Sequence, residues 1–497
     1  MSETPIGSIT ILGGGTAGWM AATMLARRLS HQRMTITLVE SEEIGIIGVG
    51  EATVPVFRLF NETLGLDEHE FMRATRGSYK LGIKFCDWGV VGNTHFHGFG
   101  DYGEPLQAVA PHQHWMRLRQ SGETAPIDDY SAPYALARKG KFTPADPRDP
   151  RYSHAYHFDA ALYARALRNH AEAAGVRRVE GRLADVEQDS ETGHIRSLIL
   201  TDGTRVDGDF FLDCTGFAAE LIGKRLHVPF EDWTHWLPCD SAIAVPSVRS
   251  APPAPFTRST AVKAGWIWRI PLQHREGNGI VYASTHMDDA EAEAILLGQL
   301  AGEPLATPRR FRFKAGHRAQ FWHGNCVALG FASGFLEPLE STGIQLIQNG
   351  IGRLIEYFPD RRFDPSVAAE YNRVVRVEWE RIRDFIIAHY CVSQRSEPFW
   401  QAARAMEIPP TLRYKLDVWR ATGRIPLLDG ESYQEPSWAA ILLGNGFLPK
   451  RYDPLADTLP LEAARGAMAR RREDLARAGR AAPDHQAYLE RHCKAAH

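Results

Sequence analysis

The chain has 497 residues, of which 44% are hydrophobic and 24% charged, and its net charge is −3. That length holds about two to four domains' worth of material, and the composition supports a large packed core and excludes a disordered or fibrous chain. The nearly balanced charge offers no handle for nucleic acid or an anionic membrane, and no apolar run approaches the ~20 residues that span a bilayer. Six cysteines (Cys86, Cys214, Cys239, Cys326, Cys391 and Cys493) include no Cys-x-x-Cys pair and read as reduced thiols of a cytoplasmic protein. No metal site is expected. Residues 1–8 are short and polar and lack the regions of a signal peptide.

Residues 9–12 read as a buried strand, Gly13-Gly14-Gly15-Thr16-Ala17-Gly18 follows at once, and Ala21, Met24, Leu25 and Leu29 then recur at helical spacing. Residues 35–39 form a second strand ending at Glu40. A βαβ unit of this kind predicts a parallel sheet with helices on its faces. In Gly13-x-Gly15-x-x-Gly18 the first glycine permits a tight turn, the second lets the backbone approach a pyrophosphate, and the third lets helix and strand pack closely. Thr16 and Ala17 open the helix, where unpaired N–H groups favour phosphate. Glu40, 22 positions after Gly18, is placed to accept hydrogen bonds from a ribose. The pattern predicts a bound dinucleotide without choosing between FAD and NAD.

Residues 45–130, rich in Gly, His and aromatics, read as loops with a few helices. Residues 158–174 read as a helix, 179–200 as strands around a turn, and 210–212 as a strand running into Asp213-Cys214-Thr215-Gly216. That last segment resembles the second flavin-contact segment of FAD-dependent monooxygenases and favours FAD. Residues 242–284 have strand character broken at 251–256. Residues 311–329 are expected to rejoin the first sheet. From Gly343 onward the chain turns helical, with candidates at 378–389, 436–443 and the tail after Leu461. Within Gly265-Trp266-Ile267-Trp268-Arg269-Ile270-Pro271 the two tryptophans share one face of a strand. They form either an aromatic core patch or a wall that excludes water beside a reactive oxidant.

Gly-Trp-x-Trp-x-Ile-Pro resembles the motif of flavin-dependent tryptophan halogenases. Three other segments resemble that family too: Gly13 to Trp19, the loop Gly48-Val49-Gly50-Glu51-Ala52-Thr53-Val54-Pro55, and Glu337-Pro338-Leu339-Glu340-Ser341-Thr342-Gly343. The likeness runs from residue 8 to about residue 450. It implies an α/β fold: a Rossmann-like, monooxygenase-type FAD-binding domain with inserted strands over 1–350, to whose active site residues 45–130 contribute. A mostly helical substrate side over 351–497 completes it. It also implies FAD used as FADH2, O2 and chloride or bromide, which together yield hypohalous acid. A separate NAD(P)H-dependent flavin reductase would supply FADH2 by diffusion, and a homodimer is left open.

The resemblance also assigns roles. Lys80 corresponds to the catalytic lysine, which hydrogen-bonds the hypohalous acid or forms a haloamine; burial suits a lysine to the second task by lowering its pKa. Glu340 corresponds to the essential glutamate, which can stabilise a cationic ring or take its proton. Thr342 and Gly343 correspond to the halide-binding amides. Val49, Ala52, Leu183, Asp213, Phe331 and Ile344 are expected against the flavin, and His97 and Phe99 against the substrate ring. Tryptophan-specific members hold the amino-acid head group with a Tyr-Tyr doublet, a Glu and a Phe-Trp pair. Here the stretch is Ser432-Tyr433-Gln434-Glu435-Pro436-Ser437-Trp438-Ala439-Ala440, which leaves Trp438, with Tyr433 or Glu435, as candidates. Loss of such a polar clamp loosens selectivity, so the expected substrate is an indole-like aromatic. An FAD-dependent aromatic hydroxylase would share Gly13 to Gly18, Glu40 and Asp213, but would need neither Lys80, Trp266 and Trp268 nor the anion site.

Overall fold

The structure is a computed structural model that describes residues 5–30, 34–43, 50–146 and 152–495. The elements that carry the site are, in chain order, β1 (Ser8–Leu12), α1 (Thr16–Arg28), β2 (Thr35–Glu40), β3 (Ser78–Lys80), β4 (Thr94–Gly98), β5 (Phe210–Asp213), β6 (Gly265–Pro271), α2 (Thr342–Glu356), α3 (Pro365–Cys391), α4 (Glu435–Gly444) and α5 (His485–His492).

β1 has parallel neighbours on both sides, β2 and β5, at the centre of a six-stranded sheet whose outer strands are Arg177–Glu180 on one edge and Cys326–Ala328 and Trp322–His323 on the other. Ile9, Ile11 and Leu12 are buried, as a strand with covered faces requires. α1 packs beside the helix Ala160–Ala173. That helix begins later than the sequence suggests. Residues 158 and 159 belong to the strand Ala155–Asp159, and the Asp159 carboxylate caps the helix by accepting from Ala161 N (3.1 Å) and Leu162 N (3.2 Å).

A second sheet of seven strands runs Arg309–Arg312, Ser241–Ser247, Glu276–Tyr282, β6, Thr257–Val262, Gly82–Cys86, β4. Two sequence expectations change here. The region read as loops holds β3, Gly82–Cys86 and β4, the strands that carry Lys80 and His97. And of residues 311–329, only Trp322–His323 and Cys326–Ala328 rejoin the first sheet; Arg309–Arg312 extends the second. Trp268 lies opposite Gly279 on the neighbouring strand, where an added Cβ would come within 2.0 Å of its ring. The indole therefore fills the space a side chain would take.

After residue 341 the described chain is almost wholly helical. One contiguous cluster of buried apolar side chains includes Ile6 near one end and Cys493 near the other. α5, almost at the end, anchors β3: Tyr79 N donates to His485 Nε2 (3.1 Å), and His485 Nδ1 donates to Pro253 O (2.8 Å). All six cysteines are free thiols. Among the described residues no helix is long and apolar enough to cross a membrane.

Candidate active site

The glycine fingerprint has the geometry its spacing predicts. Gly13 has φ 110°, and a Cβ there would sit 2.3 Å from Cys214 O. A Cβ on Gly18 would sit 1.9 Å from Gly13 O, so helix and turn meet closely, whereas a Cβ on Gly15 would meet nothing within 4 Å. α1 begins at Thr16 with Gly15 as its cap, no side-chain cap and no acid in its first turn. Its free N–H groups therefore face open space, which fits a pyrophosphate. Glu40 lies across Gly14, and its carboxylate accepts from Trp19 Nε1 (3.3 Å) and from Arg178 Nε (2.5 Å). Asp213 is fully buried and accepts four bonds: Thr215 N (3.0 Å), Thr215 Oγ1 (2.6 Å), Leu221 N (2.8 Å) and Ile222 N (2.8 Å). It shapes the loop beside Gly13. Asp213→Ala would leave two buried N–H groups without an acceptor and should cost about 2–6 kcal/mol of stability in urea denaturation.

Of the other expected flavin contacts, Phe331 and Leu183 lie near this cradle. Gly330 lies against Ala17, where an added Cβ would come within 2.8 Å, and so brings Phe331 to the start of α1. Phe331 is half-exposed and stacks on Phe217 with ring centroids 4.7 Å apart. Ala52 and Ile344 are buried, on the strand Gly50–Ala52 and on α2. Leu183 opens the strand Leu183–Gln188 and packs with a cluster that includes Leu12 and Val39. Val49 lies outside the described residues.

Lys80 and Glu340 meet around one residue, Ser341. Lys80 is fully buried on β3, and its Nζ donates to Ser341 Oγ (2.7 Å) and to Thr53 O (2.9 Å). The Phe99 ring stands 5.1 Å from the same nitrogen. Burial pulls the lysine down to about 7, against the opposing pull of Glu340. Ser341 has φ 63°, a left-handed conformation that non-glycine residues avoid. The turn it makes separates Glu340 from the start of α2. There Thr342 Oγ1 is buried without a partner, and a Cβ on Gly343 would meet nothing within 4 Å. The helix start has no side-chain cap and no acid. An orphaned hydroxyl and free amides beside open space fit a small anion.

Glu340 is held between two imidazoles. His97 Nδ1 on β4 donates to Oε2 (2.9 Å) and His389 Nε2 on α3 donates to Oε1 (2.8 Å). Burial would raise this carboxyl, yet the two histidines outweigh it and hold the group well below the usual carboxylate range. His97 and Phe99 lie 6.4 Å apart, centroid to centroid, with their planes at 74°. Beside His97, Tyr433 stacks on Phe385 at 3.8 Å, and the buried Tyr433 hydroxyl has no partner. Trp438 meets Phe385 edge-on, with ring centroids 4.8 Å apart. It is fully buried, its Nε1 donates to Glu431 Oε1 (3.2 Å), and Lys415 sits 4.5 Å from its ring.

The Trp-x-Trp motif also reaches this loop. Trp266 Nε1 donates to Glu337 Oε2 (3.0 Å), and so does the Tyr390 hydroxyl (2.7 Å). Burial pushes Glu337 up to about 7. Trp266 therefore pins the start of the segment whose end is Glu340. Two adjacent residues of α3, His389 and Tyr390, grip both carboxyls of that segment. Sequence reasoning missed His389, Phe385 and Tyr390. A histidine inside the fully buried run Phe385-Ile386-Ile387-Ala388-His389-Tyr390 was the available signal, because a buried imidazole needs partners.

A dinucleotide cradle joined to an anion-ready helix start and a buried lysine–carboxylate pair defines a dinucleotide-binding enzyme site. Comparison with known proteins agrees. The model of the tryptophan halogenase family matches residues 8–461, and the chain belongs to that family: it is a flavin-dependent halogenase. It is 38% identical to tryptophan 7-halogenase RebH of Lentzea aerocolonigenes, over 84% of this chain and 82% of that one. Among solved structures it resembles BrvH, a flavin-dependent halogenase from Brevundimonas sp. BAL3, with 45% identity, a TM-score of 0.94, and 98% and 99% of the two chains covered. It also resembles Xcc4156, a flavin-dependent halogenase from Xanthomonas campestris, with 44% identity, a TM-score of 0.96, and 99% of each chain covered. As a member of this family it works with FAD, halide and O2, draws reduced flavin from a separate reductase, and acts on an aromatic substrate. The aromatic hydroxylase reading is not favoured.

Proposed function

We propose that the protein halogenates an indole-like aromatic that need not carry an amino-acid head group, working in the cytoplasm with either bromide or chloride. The observation that carries this reading is the pair Lys80 and Glu340, both fully buried and joined through Ser341, beside the packed rings of His97, Phe385 and Tyr433. Tyr433 rests on Phe385, and Trp438 is committed to Glu431. What remains is an aromatic cluster with one unpaired hydroxyl, suited to a ring and poorly suited to an ammonium-carboxylate group.

Bound FADH2, with O2 and halide, supplies hypohalous acid. Thr342 and Gly343 bind the halide at the start of α2. Gly13, Gly15 and Gly18, with the amides of Thr16 and Ala17, hold the pyrophosphate; Asp213 keeps the neighbouring loop in shape, and Ala52, Leu183, Phe331 and Ile344 line the flavin side. Neutral Lys80 Nζ takes the halogen from hypohalous acid as the oxygen–halogen bond breaks, the hydroxide leaving as water with a proton from that nitrogen, and its contacts to Thr53 and Ser341 hold the atom in place. Glu340 faces the ring, lowers the energy of the cation formed on halogen addition and accepts the departing proton. His97 orients Glu340 and, with Phe99, confines the ring. Trp266 and Trp268 close the space against water.

A neutral amine is the nucleophilic form of Lys80. Product formed per FADH2 oxidised should therefore rise with pH through about 7 as the ammonium loses its proton, and Lys80→Met should abolish that rise. The substrate reading is tested by comparing indole, substituted indoles and free tryptophan under identical turnover conditions. Higher kcat/KM for indoles without the head group is expected; a preference for free tryptophan would overturn it.

A further inference from the structure

His389 is fully buried on α3, and both of its ring nitrogens face oxygen. Nδ1 lies 2.8 Å from Phe385 O and Nε2 lies 2.8 Å from Glu340 Oε1. A carbonyl oxygen only accepts, so Nδ1 carries a hydrogen. In a neutral imidazole that leaves Nε2 bare. A bare nitrogen against a carboxylate oxygen would set lone pair against lone pair, so the contact needs a second proton. That proton resides on His389 or on Glu340. Glu340 Oε2 already accepts from His97 Nδ1 (2.9 Å), so the carboxylate has a donor on each oxygen, the arrangement that favours its ionised form.

We propose that His389 is a positioning residue that holds this second proton as a buried imidazolium and thereby keeps Glu340 an ionised carboxylate turned toward the substrate space. The groups around it agree. From β4, His97 faces the same carboxylate, and His95 is buried with both ring nitrogens unpartnered. Burial and the two neighbouring histidines push His95 down to about 3, so it stays neutral and does not compete for the proton. On the remaining sides are Phe85 at 5.2 Å and Trp88 at 5.9 Å, whose Nε1 donates to Ser259 Oγ. Tyr390, next along α3, is bound to Glu337, and Tyr433 faces Glu340 from the loop before α4. Lys80 on β3, on the far side of Ser341, is the nearest lysine named in this network, and burial already weakens its charge. With its second proton His389 balances Glu340 from the α3 side, opposite the His97 contact.

The protonation state needs no cofactor to test; its effect on turnover rests on the halogenase reading. In 15N-histidine-labelled protein without FAD, the resonance pair lost in His389→Gln should show both nitrogens protonated. A pair with one bare nitrogen would overturn the proposal. If that variant does not fold, Glu340→Gln serves: one histidine should change from doubly to singly protonated, and no change would overturn the proposal. In turnover, His389→Gln should lower kcat for halogenation with KM for the aromatic unchanged, and the rise through about 7 that Lys80 governs should stay in place. Full kcat in His389→Gln would contradict the proposal. Absence of any halogenated product from wild type and variant alike, with the doubly protonated histidine intact, would instead count against the halogenase reading.

Discussion

Lys80→Met is expected to cut halogenated product by about 10²–10⁴-fold while FADH2 consumption and hypohalous acid release continue. Methionine fills the same buried volume and removes only the amine. The loss should appear in kcat, because Lys80 Nζ meets the halogen and not the resting substrate. Stability is governed by two opposed effects. Removing an amine whose burial is costly favours the variant. Leaving Thr53 O and Ser341 Oγ without their donor costs about 1–3 kcal/mol. The melting temperature should therefore move by only a few degrees, which separates a chemical loss from an unfolding one. The readouts are product by mass spectrometry, flavin oxidation by absorbance and hypohalous acid by a soluble trap.

Glu340→Gln should lower kcat by a similar ~10²–10⁴-fold. The amide keeps the shape but carries no charge and cannot take the proton from the ring. It can still be satisfied locally. Its NH2 donates to His389 Nε2, bare once that ring gives up its second proton, and its oxygen accepts from His97 Nδ1. KM for the aromatic should change little, since His97, Phe385 and Tyr433 stay in place. A variant that halogenated at the wild-type rate would show that the carboxylate has no part in the reaction.

Much of this was legible in the chain itself. The fingerprint from Gly13 to Gly18 announced strand, turn and helix, because each glycine answers a local steric demand that sequence spacing reports. Lys80 and Glu340 were found through motif resemblance, while their meeting around Ser341 is a property of the fold. Residues 78–98 were misread as loops because His, Gly and Lys mask the alternation of Tyr79, Leu81, Ile83 and Phe85, all of which are buried. Covered on both faces, such a strand shows no clean polar side. Glu40 shows what spacing leaves out: the acid stands where the ribose rule puts it, and distant Arg178, on the next strand, engages it. His389 was hidden differently. It lies 49 residues from Glu340 in the chain, and only the packing of α3 against the loop before α2 joins them.

The most direct test of the central claim is isotopic. The protein is supplied with FAD, a flavin reductase, NADH, O2, bromide and an indole, and the product is analysed by mass spectrometry. A monobrominated ring, with the paired bromine isotope peaks and lost in Lys80→Met, is the predicted result. Products that gain only oxygen would contradict the account.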